Sequence, residues 1–329
     1  MKPRSLEQRH STLPIRGVFS ISRGSKTLAD SIVVRIGERD VAGYGECVPY
    51  GRYGESIESV AAQIESVTGA IEEGIDLQEL QLLLPPGSAR NAIDCALWDL
   101  RSRLSGRTVA SFAGLQEPLG PVITAFTLSL ADPEAMADKA REFAHLPLLK
   151  LKLGGEGDLE RVRAVRKAAP QARLMADANE SWQVEHLNAF LPEFAELGVE
   201  LLEQPLPAGA DEALLGYASP VPLAADESCR DLGSVADISR KYAFANIKLD
   251  KTGGLTEALA LADAARTAGM KIMVGCMVAS SLSMAPGIVL AQTAEVVHLD
   301  GPLLLARDHD PALPYVGAKL YPDSKVWSI

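Results

Sequence analysis

Leu148-Leu-Lys-Leu-Lys-Leu-Gly-Gly155 alternates apolar and cationic side chains with the period of a β-strand. Leu149, Leu151 and Leu153 share one face, Lys150 and Lys152 share the other, and Gly154 and Gly155 end the strand. Two neighbouring ammonium groups repel, and an apolar wall disfavours the charged form, so both effects lower a lysine pKa. A lysine shifted in this way accepts a proton near neutral pH. Taken alone, the octet equally suits a solvated edge strand whose lysines guard against aggregation. The flanking sequence decides between the two.

From Pro121 onward, short apolar strands alternate with amphipathic helices, the mark of βαβ units. Strands are expected near 122–128, 148–153, 173–177, 200–204, 222–226, 246–250, 271–275 and 295–300, with helices such as 158–169, 184–197, 256–268 and 280–292 between them. Eight strands and seven intervening helices predict a (β/α)8 barrel, the last helix being reduced or missing in one version. A doubly wound sheet also alternates, but it does not require eight consecutive units, and no Gly-x-Gly-x-x-Gly follows a strand here.

The strand ends carry charge in a regular series. Lys152, Asp177, Glu203, Asp226 and Lys248 follow one another at intervals of 22–26 residues, one βα unit each. In a barrel, equivalent positions on successive strands converge on one mouth. Any one acid fits a helix N-cap or first turn. Three at matched register repel one another unless a hard divalent cation neutralises them, and carboxylate oxygens with open positions suit Mg²⁺, one per subunit. Asp177, Glu203 and Asp226 are therefore the expected metal ligands, with Asn179 and Glu227 as supporting partners, Glu227 toward a lysine. Lys152 and Lys248 lie four strands apart and face each other across the mouth. One lysine is placed to remove the α-proton of a bound carboxylate substrate from one face while the other returns a proton to the opposite face.

Before the barrel, residues 13–50 read as a β-meander with strands at Ser31-Ile-Val-Val-Arg-Ile-Gly37 and Val41-Ala-Gly-Tyr-Gly-Glu-Cys47. A polar loop, Ile21-Ser-Arg-Gly-Ser-Lys-Thr27, carries Arg23 and Lys26, and a second polar, Gly-rich loop spans 49–56. Residues 57–74 and 88–104 have helical periodicity and are separated by Pro85-Pro86-Gly87. The expected organisation is an α+β capping domain over 1–117, the barrel over 118–304, and a return over 305–329 that packs on the capping domain.

Composition narrows the function. The 329 residues are 47% hydrophobic and 23% charged, which suits a large folded core. A net charge of −11 and a pI near 5.1 argue against nucleic acid or an anionic membrane as partner. No apolar leader and no run of about 18 apolar residues is seen, so a cytoplasmic protein without a membrane span is expected. Cys47, Cys95, Cys229 and Cys276 match no zinc spacing, and the five histidines form no metallohydrolase cluster.

Together, Lys150-Leu-Lys152, Asp177-Ala-Asn179, Glu203-Gln-Pro205, Ala225-Asp226-Glu-Ser228 and Ile247-Lys248-Leu249 resemble the enolase superfamily, in particular its muconate-lactonizing subgroup. The resemblance covers essentially the whole chain. Within the subgroup, Ile21-Ser-Arg23-Gly-Ser25, Pro49-Tyr-Gly-Arg-Tyr53-Gly-Glu-Ser56, Gly275-Cys-Met277 and Leu299-Asp300-Gly-Pro302 resemble dipeptide epimerases of the L-Ala-D/L-Glu type. That resemblance implies Mg²⁺-dependent epimerisation of a dipeptide at its C-terminal α-carbon, through an enediolate, by a homo-oligomeric enzyme. It also implies a substrate-binding set of Arg23, Lys26, Tyr53, Thr127, Lys150, Met277 and Asp300. Arg23 would take the substrate's side-chain carboxylate and Asp300 its free ammonium. The usual Asp-x-Asp pattern is here His298-Leu-Asp300, which leaves the first residue of the dipeptide open. The same frame also serves N-acylamino-acid racemases, o-succinylbenzoate synthases and muconate cycloisomerases, and a non-catalytic metal- or peptide-binding protein is the alternative from another class.

Overall fold

The computed structural model describes residues 4–329; the first three residues of the expected capping domain lie outside the described part. Strands β1 (Ser5–Ile21), β2 (Gly24–Glu38) and β3 (Val41–Cys47) form an antiparallel sheet in chain order. The stretch expected as a polar loop is instead the tip of a long hairpin. Ile21 pairs with Gly24 and Phe19 with Lys26, leaving only Ser22 and Arg23 at the turn. Gly24 has a φ of +139°, a conformation that only glycine adopts readily, so the chain reverses there in two residues.

Helices α1 (Ile57–Ser66), α2 (Thr68–Glu73), α3 (Leu77–Leu83) and α4 (Ser88–Ser105) follow. Helix α3 falls in a segment expected only as a connection; its start is a capping box between Asp76 and Glu79. Helix α4 lies directly on β3. A Cβ at Gly43 would sit 2.2 Å from Ala96 O and one at Gly45 2.1 Å from Ala92 O, so glycine is what permits the contact. After α5 (Val109–Phe112) and β4 (Val122–Ile123) the chain enters the barrel.

Eight parallel strands stand side by side in chain order: β5 (Phe126–Leu128), β6 (Leu148–Lys152), β7 (Arg173–Asp177), β8 (Val199–Glu203), β9 (Leu223–Ala225), β10 (Phe244–Ile247), β11 (Lys271–Val274) and β12 (Val296–Val297). The two edges meet where Ala125 N donates to Val297 O at 2.9 Å. Ala125, Leu148, Met175, Leu201, Ala224, Phe244 and Met273 fill the amino-terminal end of the barrel interior. Leu149, Leu151 and Leu153 face outward into the larger core shared with the helices. Because strand side chains repeat every two residues, the positions two beyond Leu148, Met175, Leu201 and Ala224 form the next interior layer. Those positions are Lys150, Asp177, Glu203 and Asp226.

The connecting helices are α6 (Pro133–Glu142), α7 (Asp158–Ala168), α8 (Val184–Glu196), α9 (Val235–Ile238), α10 (Leu249–Thr252), α11 (Leu255–Thr267) and α12 (Ser281–Ala291). The expectation of seven helical connections between the eight strands is corrected at the fourth. Between β8 and β9 there is only a 3-10 turn at Glu212–Leu214. Pro205, Pro207, Gly209, Gly216, Pro220 and Pro222 interrupt that segment so closely that only residues 210–215 run free of both helix-weakening types for more than three residues. The seventh connection, expected as a helix over 280–292, is α12.

At the carboxyl end, β13 (Tyr315–Val316) pairs with β14 (Lys319–Leu320), and β14 pairs with β4. The fully buried Trp327 donates through Nε1 to Tyr44 O at 3.0 Å, and Ser328 N donates to Asp99 Oδ1 at 3.0 Å, so the chain ends against β3 and α4. No helix among the described residues is long and apolar enough to cross a membrane.

Candidate active site

The interior layer at the carboxyl mouth is an alternating array of cations and anions. Lys152 Nζ donates to Asp177 Oδ2 at 2.6 Å and to Asn179 Oδ1 at 3.2 Å. Lys150 Nζ stands 3.1 Å from Asp177 Oδ2 and 2.6 Å from Glu203 Oε2, the latter an ion contact without hydrogen-bond geometry. Glu203 Oε1 accepts from Asn246 Nδ2 at 2.8 Å. Across the mouth, Lys248 Nζ donates to Asp226 Oδ2 and Lys251 Nζ to Asp226 Oδ1, each at 2.6 Å. Asp177, Glu203 and Asp226 are all buried, and each offers an oxygen within 4.8 Å of the other two.

The electrostatics at Lys150 differ from the expectation of a depressed lysine. Burial alone would push Lys150 down, but the Asp177 and Glu203 carboxylates beside it hold it above the ordinary lysine range. Lys248 is held well above that range in the same way, against burial, by Asp226 first and then Glu203. At Lys150 the attraction of two carboxylates outweighs both burial and repulsion from the Lys248 ammonium. Glu203 shows the reverse effect: burial, and then repulsion from Asp177, push it up to about 7. Burial works against Asp177 and Asp226 too, yet their lysine partners keep both below the usual carboxylate range.

Beside this array, Asp300 and His298 project from the chain after β12. Asp300 Oδ2 accepts from Thr127 N at 2.7 Å, and Asp300 Oδ1 lies 2.9 Å from His298 Nε2. His298 Nδ1 lies 3.3 Å from Lys150 Nζ. An ammonium has only donors, so Nδ1 must accept and the ring proton sits on Nε2, facing Asp300 and Thr127 Oγ1. Burial lowers His298 to about 4, which keeps the ring neutral.

The N-terminal layer covers the mouth. Arg23 donates through one terminal nitrogen to Asn179 O at 2.8 Å and to Glu180 at 3.1 Å, and through the other to Tyr50 OH at 2.7 Å and Glu227 Oε1 at 2.6 Å. Arg52 grips Glu180 with two hydrogen bonds of 2.7 Å. A cavity of about 550 Å³ lies between the two layers, bounded by Arg23, Lys26, Tyr50, Lys152, Lys248 and Asp300 among others. Met277, Thr127 and Asn179 also face it.

Three expected contacts are placed elsewhere. Tyr53 packs edge-on against Tyr50 at 5.5 Å between ring centroids, and Tyr50 rather than Tyr53 lines the cavity. Lys150 is fully buried one layer below Lys152, so its ammonium meets carboxylates instead of the cavity. The salt bridge of Glu227 goes to Arg23 rather than to a lysine. Sequence reasoning also missed Lys251, Asn246, Arg52 and Glu180. Lys251 had a signal: it stands three residues after Lys248, one helical turn, just before Gly253-Gly254. Glu180 and Arg52 had none, because their pairing joins segments 128 residues apart.

Comparison with known proteins agrees with this architecture. Residues 5–114 match the mandelate racemase/muconate lactonizing enzyme N-terminal domain, and residues 135–316 match the enolase C-terminal domain-like family. The chain belongs to this mandelate racemase/muconate lactonizing branch of the enolase superfamily, and it is an isomerase. It is 46% identical to the L-Ala-D/L-Glu epimerase of Escherichia coli (strain K12) over 310 residues, covering 94% of this chain and 96% of that one. It is 42% identical to an N-acetyl-D-glutamate racemase from Pseudoalteromonas, over 90% of this chain and 94% of the other. A crystal structure of an enolase family member from Agrobacterium tumefaciens, with homology to dipeptide epimerases, superposes with a TM-score of 0.97 at 48% identity, covering 99% of this chain and 100% of that one. That crystal structure holds sodium, L-Ala-L-Glu and an ordered loop.

Proposed function

We propose that this enzyme epimerises a dipeptide of the L-Ala-L/D-Glu kind at the α-carbon of its C-terminal residue. One observation carries the proposal: Lys152 on β6 and Lys248 just after β10 enter one cavity from positions four strands apart, with three buried carboxylates on the strands between. In this proposal the capping domain spans residues 1–117, the barrel 118–304 and the return 305–329.

Asp177, Glu203 and Asp226 would hold Mg²⁺. The donor set fits: three buried carboxylates converge, Glu203 Oε2 has no hydrogen-bond partner, and burial pushes the Glu203 proton affinity up, as expected for an anion lacking enough positive charge. When bound, the cation supplies positive charge against the charge that develops on the substrate carboxylate as the α-proton leaves. The chain's own groups do the rest. One lysine, unprotonated, takes the α-proton on one face; the other, as an ammonium, delivers its proton to the opposite face, so the stereocentre inverts and the pair exchanges protonation states. Arg23 offers its planar fork to the side-chain carboxylate of the C-terminal residue, in exchange for Glu227 and Glu180. Asp300 takes the free ammonium, Thr127 N fixes that carboxylate, Met277 supplies an apolar wall, and Lys26 adds charge at the rim. The four free thiols suit a reducing compartment, which supports a cytoplasmic location.

Mixtures of L,L-dipeptides incubated with enzyme and Mg²⁺ in D2O, read by mass spectrometry, test the proposal. Deuterium should enter the C-terminal residue of acidic dipeptides, and Lys152→Ala and Lys248→Ala should each abolish epimerisation. Exchange with no dipeptide overturns the proposal. Exchange confined to N-acetylglutamate would move the function to the N-acylamino-acid racemases, a second reading favoured by the similarity to the Pseudoalteromonas enzyme.

A further inference from the structure

Lys248 is the last residue before α10, a single turn whose four residues are all buried. Three side chains of α4, which belongs to the N-terminal layer, hold that turn and the start of α11 behind it. Arg90 donates to Thr252 O at 2.7 Å and to Gly253 O at 3.2 Å, and also pairs with Glu257. Asn91 Nδ2 donates to Asp250 Oδ1 at 2.9 Å, and Asp94 Oδ2 accepts from Thr256 N at 3.0 Å. Contact is close enough that a Cβ on Gly253 would lie 2.4 Å from Arg90 Nε, and one on Gly254 would lie 2.5 Å from Asp94 Cβ. Asp250 has a second partner: its Oδ1 also accepts from Val48 N at 2.9 Å. Val48 is the root of the segment that carries Tyr50 and Arg52 over the cavity, and its carbonyl is held in turn by Ser88 Oγ at 2.9 Å.

Lys152 has no such arrangement. It stands on a five-residue strand hydrogen-bonded to neighbours on both sides, and it is set by the barrel itself. The two lysines are therefore positioned by different parts of the molecule.

We infer that Asp250 and Asn91 are positioning residues for Lys248 alone: together they form a joint that ties the Lys248 backbone to α4 and to the cap segment at Val48. Lys248 Nζ reaches Asp226 from a backbone that β10 delivers and that this pin, two residues on, holds on its far side together with Arg90. Releasing the pin lets α10 shift while Lys152 and the carboxylates of β7 and β8 stay in place. A displacement of about 1 Å at a reacting group costs on the order of a hundredfold in rate, so partial release costs roughly tenfold or more on the Lys248 face. The inference rests on the two-lysine proposal above and adds to it the means by which one of the two bases is set.

The test uses a consequence of the two-lysine proposal, that each lysine faces the α-proton of only one epimer. Solvent deuterium uptake is measured separately from L-Ala-L-Glu and L-Ala-D-Glu, with Mg²⁺, for wild type, Lys248→Ala, Asn91→Ala, Asp250→Ala and Asp250→Asn. Circular dichroism melts establish that each variant is folded at the assay temperature; should Asp250→Ala fail to fold, Asn91→Ala carries the test. Asn91→Ala should slow uptake about tenfold or more from the epimer that Lys248→Ala silences, while uptake from the other epimer stays within about twofold. Asp250→Asn, which keeps the acceptor oxygen, should lose less than Asp250→Ala. Equal slowing from both epimers would show a general structural role and overturn the inference, as would no slowing from either. Absence of uptake by wild type from every dipeptide would instead overturn the proposed function, and the inference with it.

Discussion

Asp300 accepts hydrogen bonds from Thr127 N and the His298 ring and still borders the cavity. Asn at this position keeps an acceptor for Thr127 N but loses the negative charge. Asp300→Asn should therefore lower kcat/KM for a dipeptide about 10- to 100-fold, the equivalent of the roughly 1.5–3 kcal/mol of a charge-assisted hydrogen bond, with no comparable effect on an N-acetylated substrate. Steady-state kinetics on the two substrate types decide it. The carboxylate cluster makes a separate prediction. Dialysis against a chelator should abolish deuterium uptake, Mg²⁺ should restore it, and Asp177→Asn should raise the Mg²⁺ concentration needed at least tenfold. Mg²⁺ should also raise the melting temperature of wild type, because a ligand that binds only the folded state stabilises it.

At the level of elements, the barrel was legible because its strands are short apolar runs bounded by turn residues. The expected 173–177 coincides with β7, and the expected 148–153 overruns β6 by one residue. The lysine–carboxylate series was legible for a related reason: one residue per βα unit at matched register is a one-dimensional signal. The fourth connection was misjudged because strand alternation implied a helix that the proline and glycine content of 205–222 does not allow. The pairing of Arg23 with Glu180 and Glu227, and of Arg52 with Glu180, was not legible, since it depends on how the tip of the β1–β2 hairpin and the 51–53 turn descend on the barrel. These contacts hold the cover closed. Glu180→Gln removes the charge that Arg52 grips at both oxygens, so it should raise KM about three- to tenfold with a smaller change in kcat. Added salt should weaken substrate binding to wild type more than to the variant.

For the molecule as a whole, the interface between α4 and the barrel holds carboxyl groups with raised proton affinity. Burial pushes Asp94 up to about 6 and Asp250 up to about 7, from an ordinary value of 3.8. Both bind protons more tightly folded than unfolded. Their contribution to stability is therefore full below about pH 4 and is lost as pH rises through 6 to 7. Urea unfolding should show this decline, and Asp250→Asn, uncharged at every pH, should remove part of it, on the order of a few kcal/mol. The same scale reveals a constraint at the barrel's seam. One backbone hydrogen bond, Ala125 N to Val297 O, joins the first and last strands, and just above it two side chains complete the closure: Thr124 Oγ1 receives Leu299 N at 2.8 Å, and Asp300 Oδ2 receives Thr127 N at 2.7 Å. Asp300 is thus at once a fastener of the barrel and a wall of the cavity. A lineage that replaced this residue with one lacking an acceptor oxygen would loosen the seam in the same step, so such a change at this end of the cavity should arise only after, or together with, a compensating repair elsewhere along the closure.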